Sequence, residues 1–205
     1  MFAIAGGKGG CGKTTTTLGL ARAVNGPAVA VDADYDLPNL HRLAGTPRNT
    51  LESSDETVYI DSADPYTRIL PAPLPDDHIM HLPARIQYLK TIVSTDLGPV
   101  FTDCPAGAGP DAVRPLRVAD SVIVITTPAI ASIRDAVKTA AMARALGTTV
   151  AGIIVTQADS PPRGLSEIFT APILHSVPER IEPLRSSVVT QAHSAITEML
   201  LANKK

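Results

Sequence analysis

The stretch from Gly6 to Thr17, GGKGGCGKTTTT, constrains the fold of this chain more than any other. An apolar run, Phe2 to Ala5, precedes it and reads as a buried strand, while Thr14 to Val24 reads as a helix. Between strand and helix, Gly7, Gly12, Lys13 and Thr14 satisfy the spacing G-x-x-x-x-G-K-[ST]. Such a loop works because glycines tolerate positive φ, so consecutive N–H groups can turn inward and hold phosphate oxygens at a helix amino end. Lys13 would add positive charge at the β- and γ-phosphates, and the Thr14 hydroxyl would ligate Mg²⁺. Lys8 is surplus to that spacing.

Further short apolar runs recur at Ala28 to Val31, Ile69 to Leu70, Val100 to Phe101, Val122 to Ile125 and Val150 to Val155. They are apolar continuously rather than alternately, as parallel strands covered on both faces are. Helical spacing lies between them. Ile130, Ile133, Val137, Ala140 and Ala141 recur within Ala129 to Leu146, with Gly147 as a stop, and Pro83 to Val93 forms a weaker helix. Strand and helix alternate, which predicts an α/β fold: right-handed βαβ units doubly wound on a mostly parallel sheet, with helices on both faces. Ligands then bind at the carboxyl ends of the strands. The polar segment Thr46 to Thr67 interrupts the pattern and reads as an excursion at the sheet edge with one short strand, Thr57 to Ile60. At 205 residues and 44% hydrophobic, the chain reads as one domain over 1–205.

A bound Mg²⁺ keeps several waters and needs carboxylates to hold them. Asp32 and Asp34 follow the second strand in AVAVDADYD, and Asp103 follows another in PVFTDCPAG. Asp36 reads as a turn or cap. Cys11 and Cys104 lack C-x-x-C spacing, so free thiols are expected. The histidines His78 and His81 in DDHIMH read as a polar helix start rather than a metal site.

These residues carry a family resemblance. KGGCGKTT resembles the deviant Walker A motif of the MinD/ParA family of ATPases, in which the defining lysine stands at the position of Lys8. VDADYDLPNL resembles that family's switch I, TDCPAG its Walker B and switch II, and HSVPER the segment that closes over the base. The resemblance spans nearly the whole chain and fits the MinD branch better than the ParA branch. It implies a homodimer formed with ATP, in which Lys8 reaches the phosphates of the partner's nucleotide. It further implies that Gly7, Gly9, Gly10, Cys11 and Gly12 wrap the phosphates, that Lys13 and Thr14 hold phosphates and Mg²⁺, and that Thr15 donates to the α-phosphate. Asp34 would position or activate the attacking water, with Asp32 and Asp103 holding the waters of the metal. The implied function is an ATP-dependent dimerisation switch that positions a partner or cellular machinery, such as the division site or the motility and chemotaxis apparatus.

The chain departs from the family pattern after the strand that leads to the base pocket. Asparagine is frequent there, whereas this sequence has Thr156 and Gln157; Gln157 could supply the amide and Pro178 could pack on the ring. Two other readings stay open. An iron–sulfur carrier would need two cluster thiols from each chain, and only Cys104 is loosely placed for that. A DNA-tethered partition ATPase would need a basic face, but 18 basic against 20 acidic side chains are scattered, with Arg134, Lys138 and Arg144 on one helix and Lys204 and Lys205 at the end, so no strong DNA-binding signal is present. The final helix carries Val188, Val189, Ala192, Ile196, Met199 and Leu200 as a core stripe, which leaves only LANKK beyond it and no intrinsic membrane anchor. No apolar run approaches the roughly 20 residues of a membrane span. A cytoplasmic protein is expected, recruited to any membrane by an adaptor, with an activating or cargo protein docking near Arg114 and Arg117.

Overall fold

A computed structural model describes residues 1–7, 9–48, 58–73, 98–107 and 109–202. Lys8, the proposed helix Pro83 to Val93, His78, His81, Lys204 and Lys205 lie outside the described residues. Eight strands form one sheet: β1 (Phe2–Ala5), β2 (Ala28–Asp32), β3 (Tyr59–Ile60), β4 (Thr67–Leu70), β5 (Val100–Asp103), β6 (Ser121–Thr126), β7 (Thr149–Thr156) and β8 (Ile173–Val177). Their order is β3-β4-β2-β5-β1-β6-β7-β8. Every pairing is parallel except β3 with β4; the short strand expected at Thr57 to Ile60 is β3 at the sheet edge, over Tyr59–Ile60 among the described residues, and its antiparallel pairing was not legible in the sequence.

Alternate residues of each central strand enter opposite layers, because strand side chains have a period of two. Phe2, Ile4, Ile123, Ile125 and Ile154 pack with α1 (Lys13–Arg22), α2 (Leu40–Ala44) and α6 (Ser187–Ala202). Ala3, Ala5, Val122, Val124, Ile153 and Val155 pack with α3 (Pro110–Val118), α4 (Ile130–Ala145) and α5 (Leu165–Phe169). Both faces are therefore dry, which is why the strand sequences are continuously apolar. The path from β1 through α1 to β2 steps over β5 in one direction, while β5 through α3 to β6 steps over β1 in the other. That reversal makes the carboxyl ends of β1 and β5 the switch point at which such a sheet opens a crevice.

Several helix details differ from the sequence reading. Along α4 the buried face runs through Ser132, Ala136, Thr139, Ala140 and Ala143, while Ile130 is 73% exposed and Ala141 also faces solvent. In α6, Val188 and Met199 are exposed, and His193 and Thr197 take places in the buried stripe. In α4 the buried face is displaced by about one position onto small side chains, and in α6 His193 and Thr197 face inward because they contact α1, His193 at Gly19 and Thr197 on Leu20 O. Strand β8 is unmarked in the sequence because His175 and Ser176 break its apolar run, and α3 is masked by Pro115 within it. Gly147 does end α4: at φ +79° its N–H donates to Arg144 O at 2.9 Å.

One ion pair fastens the edge of the sheet to α1. Arg22 in the last turn of α1 donates from Nε to Asp61 Oδ2 at 2.6 Å and from Nη2 to Asp61 Oδ1 at 2.8 Å, and the Asp61 side chain is fully buried. Removing the guanidinium strands a buried carboxylate, a loss of about 3 kcal/mol for pairs of this kind. Arg22→Ala should therefore lower the unfolding free energy in urea by about that amount, and Arg22→Ala with Asp61→Asn should be less damaging than Arg22→Ala alone.

Candidate functional site

The loop after β1 lies at the switch point. Gly10 and Gly12 have φ of +79° and +84°, and Gly12 caps α1 without a side chain of its own. The first turn of α1 holds no acidic residue, so the positive end of the helix faces the loop uncompensated. Gly7 is required for a different reason: a Cβ there would fall 2.2 Å from Asp135 Cβ, so the loop lies directly against α4. Lys13 is 7% exposed at the head of α1, and Thr14 and Thr15 remain partly open beside it. From the far side, the Thr156 hydroxyl at the end of β7 lies 2.7 Å from Cys11 O and 3.1 Å from Thr126 O. Its single hydrogen is shared between the loop and the end of β6, so this side chain ties the loop to the sheet. Thr156 thus has a structural role, one that a lone threonine at a strand end gives no sequence signal for.

Asp32 and Asp103 stand at one step of the β2–β5 ladder, 0% and 1% exposed. Asp32 Oδ1 accepts the Asp34 N–H at 3.1 Å and Oδ2 accepts the Leu40 N–H at 3.1 Å, so Asp32 shapes the segment that carries Asp34. Asp34 in turn accepts the Leu37 N–H at 3.1 Å and stays half-exposed toward the crevice. Asp103 Oδ1 has no hydrogen-bond partner. Burial first, then the neighbouring Asp32 and Asp34, raise the Asp103 carboxyl to about 8, against the opposing pull of Thr14 and Lys13. A buried, orphaned carboxyl oxygen beside a second carboxylate and a helix-start hydroxyl fits a hydrated divalent cation. Among the described residues no three His, Cys, Asp or Glu side chains converge, so such a cation would take most of its ligands from water and phosphate, as Mg²⁺ does.

The two cysteines are separated by the sheet. Cys11 belongs to the layer of α1 and α6, Cys104 to the layer of α3 and α4, and both are buried and free. Burial pushes both thiols up, Cys104 well above its ordinary value, so neither is poised as a free thiolate nucleophile.

A cleft opens beside the loop, bounded by Gly10, Gly12, Thr15, Thr16, Thr156, Gln157, Val177, Pro178, Glu179, Arg180, Pro183 and His193. Gln157 adopts a φ of +57°, rare for a non-glycine residue, and its Nε2 donates to Gly10 O at 3.4 Å. The structure thus brings Gln157 and Pro178 to the same cleft, with the Gln157 amide turned toward the loop. His193, at the floor, was not identifiable from sequence because it lies in a stripe that reads as packing. Of the basic residues on α4, Lys138 pairs with Asp135 at 2.9 Å and Arg144 caps the end of α5 through Phe169 O and Thr170 O. Arg114 and Arg117 are exposed on α3, with Arg114 paired to Asp111 at 2.6 Å. No helix among the described residues is long and apolar enough to cross a membrane.

A strand-loop-helix with Lys13 and Thr14 at its head, two buried aspartates on adjoining strand ends and a cleft alongside define a P-loop nucleotide-binding protein. Residues 2–187 match the CobQ/CobB/MinD/ParA nucleotide binding domain. The chain is 32% identical over 199 residues to an uncharacterized ATP-binding protein of Methanocaldococcus jannaschii, covering 87% of this chain and 74% of that protein. It is also 32% identical over 147 residues to the septum site-determining protein MinD of Bacillus subtilis, covering 65% of this chain and 55% of that one. The fold matches that of the septum site-determining protein MinD complexed with Mg-ADP from Pyrococcus horikoshii, with a TM-score of 0.84, 24% identity, and coverage of 99% of this chain and 97% of that chain. The chain belongs to the CobQ/CobB/MinD/ParA family and is a MinD/ParA-family ATPase close to MinD.

The carboxyl of Asp103 predicts a pH signature for the ligand-free protein. Its folded value, about 8, lies above the ordinary 3.8, so its contribution to stability is whole below that ordinary value and is lost as pH rises through about 8. His193 works oppositely, because its folded value of about 4 lies below the ordinary 6.5: its contribution is present above 6.5 and lost as pH falls through about 4. Between about pH 4 and 6.5 the two effects oppose each other, so urea midpoints measured without nucleotide should fall mainly between about pH 6.5 and pH 8, and Asp103→Asn should flatten that decline.

Proposed function

We propose that this chain is an ATP-driven association switch, in which two copies close around two Mg-ATP molecules and separate after hydrolysis. The observation that carries the reading is the meeting, at one crevice, of the glycine loop with the buried and incompletely satisfied Asp103. Related proteins support it: one of the matching structures is a MinD with Mg-ADP, another a McdA in complex with ATP, and a third a MinC:MinD cell division complex. The whole chain, 1–205, acts as one domain in this reading.

Loop N–H groups and Lys13 take the β- and γ-phosphates, and Thr15 donates to the α-phosphate. Thr14, with Asp32 and Asp103 acting through water, would hold Mg²⁺, which when bound offsets phosphate charge. Asp34 orients a water in line with the γ-phosphorus; the new P–O bond forms as the bond to the bridging oxygen of ADP breaks, and the water proton leaves through Asp34 or solvent. Lys8 lies at the dimer face and reaches the partner's nucleotide, where a drier interface strengthens its attraction for phosphate. ATP thereby becomes part of the contact, and its loss dissolves it. The cleft at Gln157 and Pro178 takes the base, and the exposed Arg114 and Arg117 on α3 form the docking surface for an activating or cargo protein. The association state then positions that partner in the cell.

Two variants test separate halves of the cycle. Asp34→Ala should lower turnover by at least ~100-fold while an ATP-dependent dimer persists in size-exclusion chromatography with light scattering; turnover at the wild-type rate would remove Asp34 from the mechanism. Lys8→Ala should keep ATP binding measurable by calorimetry and lose the dimer; an unchanged dimer would return Lys8 to the role of an ordinary loop cation.

A further inference from the structure

His193 has no place in the phosphate chemistry, yet it is the one imidazole at the nucleotide cleft among the described residues. It rises from α6, is 2% exposed, and packs on α1 at Gly19, where a Cβ would fall 2.2 Å from its Nδ1. A glycine at that position is what lets the ring approach α1 so closely. Its neighbour one turn along, Thr197, satisfies itself on Leu20 O at 3.4 Å. His193 Nε2, by contrast, is buried with no hydrogen-bond partner. Leaving a buried ring nitrogen unpaired is unfavourable, and His193 Nε2, unlike the equally unpartnered His41 Nδ1, belongs to a residue of the cleft. Burial, with His175 nearby, holds the ring neutral, so Nε2 can donate or accept according to tautomer.

We propose that His193 is a base-positioning residue, whose orphaned Nε2 takes its hydrogen bond from the purine of the bound nucleotide, directly or through one water. The inference rests on the nucleotide reading of the cleft and deepens it. Gln157, the residue at the expected amide position, is directed to Gly10 O, which leaves the base edge without that contact, and Pro178 offers a face rather than a donor. In this proposal His193, a lining residue of the same cleft, supplies the missing polar group. It also links occupancy of the base site to the packing of α6 on α1.

The test separates base from phosphate with two probes, Mg-ATP and Mg-tripolyphosphate, titrated by calorimetry into the full chain. His193→Phe preserves a flat ring over Gly19 and removes Nε2; ATP affinity should drop ~10-fold while tripolyphosphate affinity stays unchanged, as expected for one lost hydrogen bond to a buried group. His193→Gln, whose amide reaches near the Nε2 position, should recover part of the loss. In wild-type protein with ¹⁵N-labelled histidine, the His193 Nε2 resonance should shift with ATP and not with tripolyphosphate, a readout that needs no variant to fold. Equal losses for both probes, no loss for either, or an Nε2 resonance indifferent to ATP would overturn the proposal. Wild-type protein that binds tripolyphosphate but no ATP would instead defeat the nucleotide reading of the cleft.

Discussion

Asp32 and Asp103 lie side by side on neighbouring strands, both withdrawn from water, and their burial, with their mutual repulsion second to it, sets the electrostatics of the site. Two buried carboxylates at one ladder step disfavour one another's ionised form. Asp32 is satisfied by backbone N–H groups from the segment that follows it, whereas Asp103 is left with an empty oxygen and a raised pKa. The asymmetry stores a demand for positive charge at the mouth of the loop. Lys13 and the amino end of α1 meet part of that demand, and a hydrated cation with a polyphosphate fits the remainder.

Around this pair, the loop is held by contacts that bear no charge. Gly7 allows α4 to approach within the space of a side chain, and Thr156 ties Cys11 O to the end of β6. The ladder itself continues past the aspartates, with Ala33 N–H on Asp103 O and Cys104 N–H on Ile4 O at 2.9 and 3.1 Å. Three strand ends are thereby stitched together where the crevice opens. Rigid placement of this kind lets phosphate be recognised by backbone groups already aimed at it, so little ordering is left for the moment of binding. The segment from Asp34 to Leu40 is held through Asp32 and its own Asp34–Leu37 turn.

The sequence was legible where chemistry is local. The phosphate loop, the parallel α/β class, the strand-end aspartates and the family all follow from contiguous residues whose types have few other uses. Elements with mixed composition were not legible: β8 carries His175 and Ser176, α3 carries Pro115, and the inward faces of α4 and α6 use Ser132, Thr139, His193 and Thr197 where a hydrophobic pattern expects apolar side chains. Inward hydroxyls are tolerated where they find a carbonyl, as Thr139 does on Asp135 O and Thr197 on Leu20 O, and His193 is admitted by the missing side chain of Gly19 on α1.

By itself, the sequence determined the fold class and the family, because strand periodicity and glycine-loop spacing are encoded between near neighbours. Only the tertiary structure decided that Asp32 and Asp103, 71 positions apart by subtraction of their numbers, share one ladder step. It alone separated Cys11 from Cys104 by a sheet, turned Gln157 onto Gly10 and brought His193, with a buried and unpaired Nε2, among the residues of the cleft. Those outcomes depend on strand order and on which layer each side chain enters, and both are set by the packing of distant segments rather than by the residues adjoining each site.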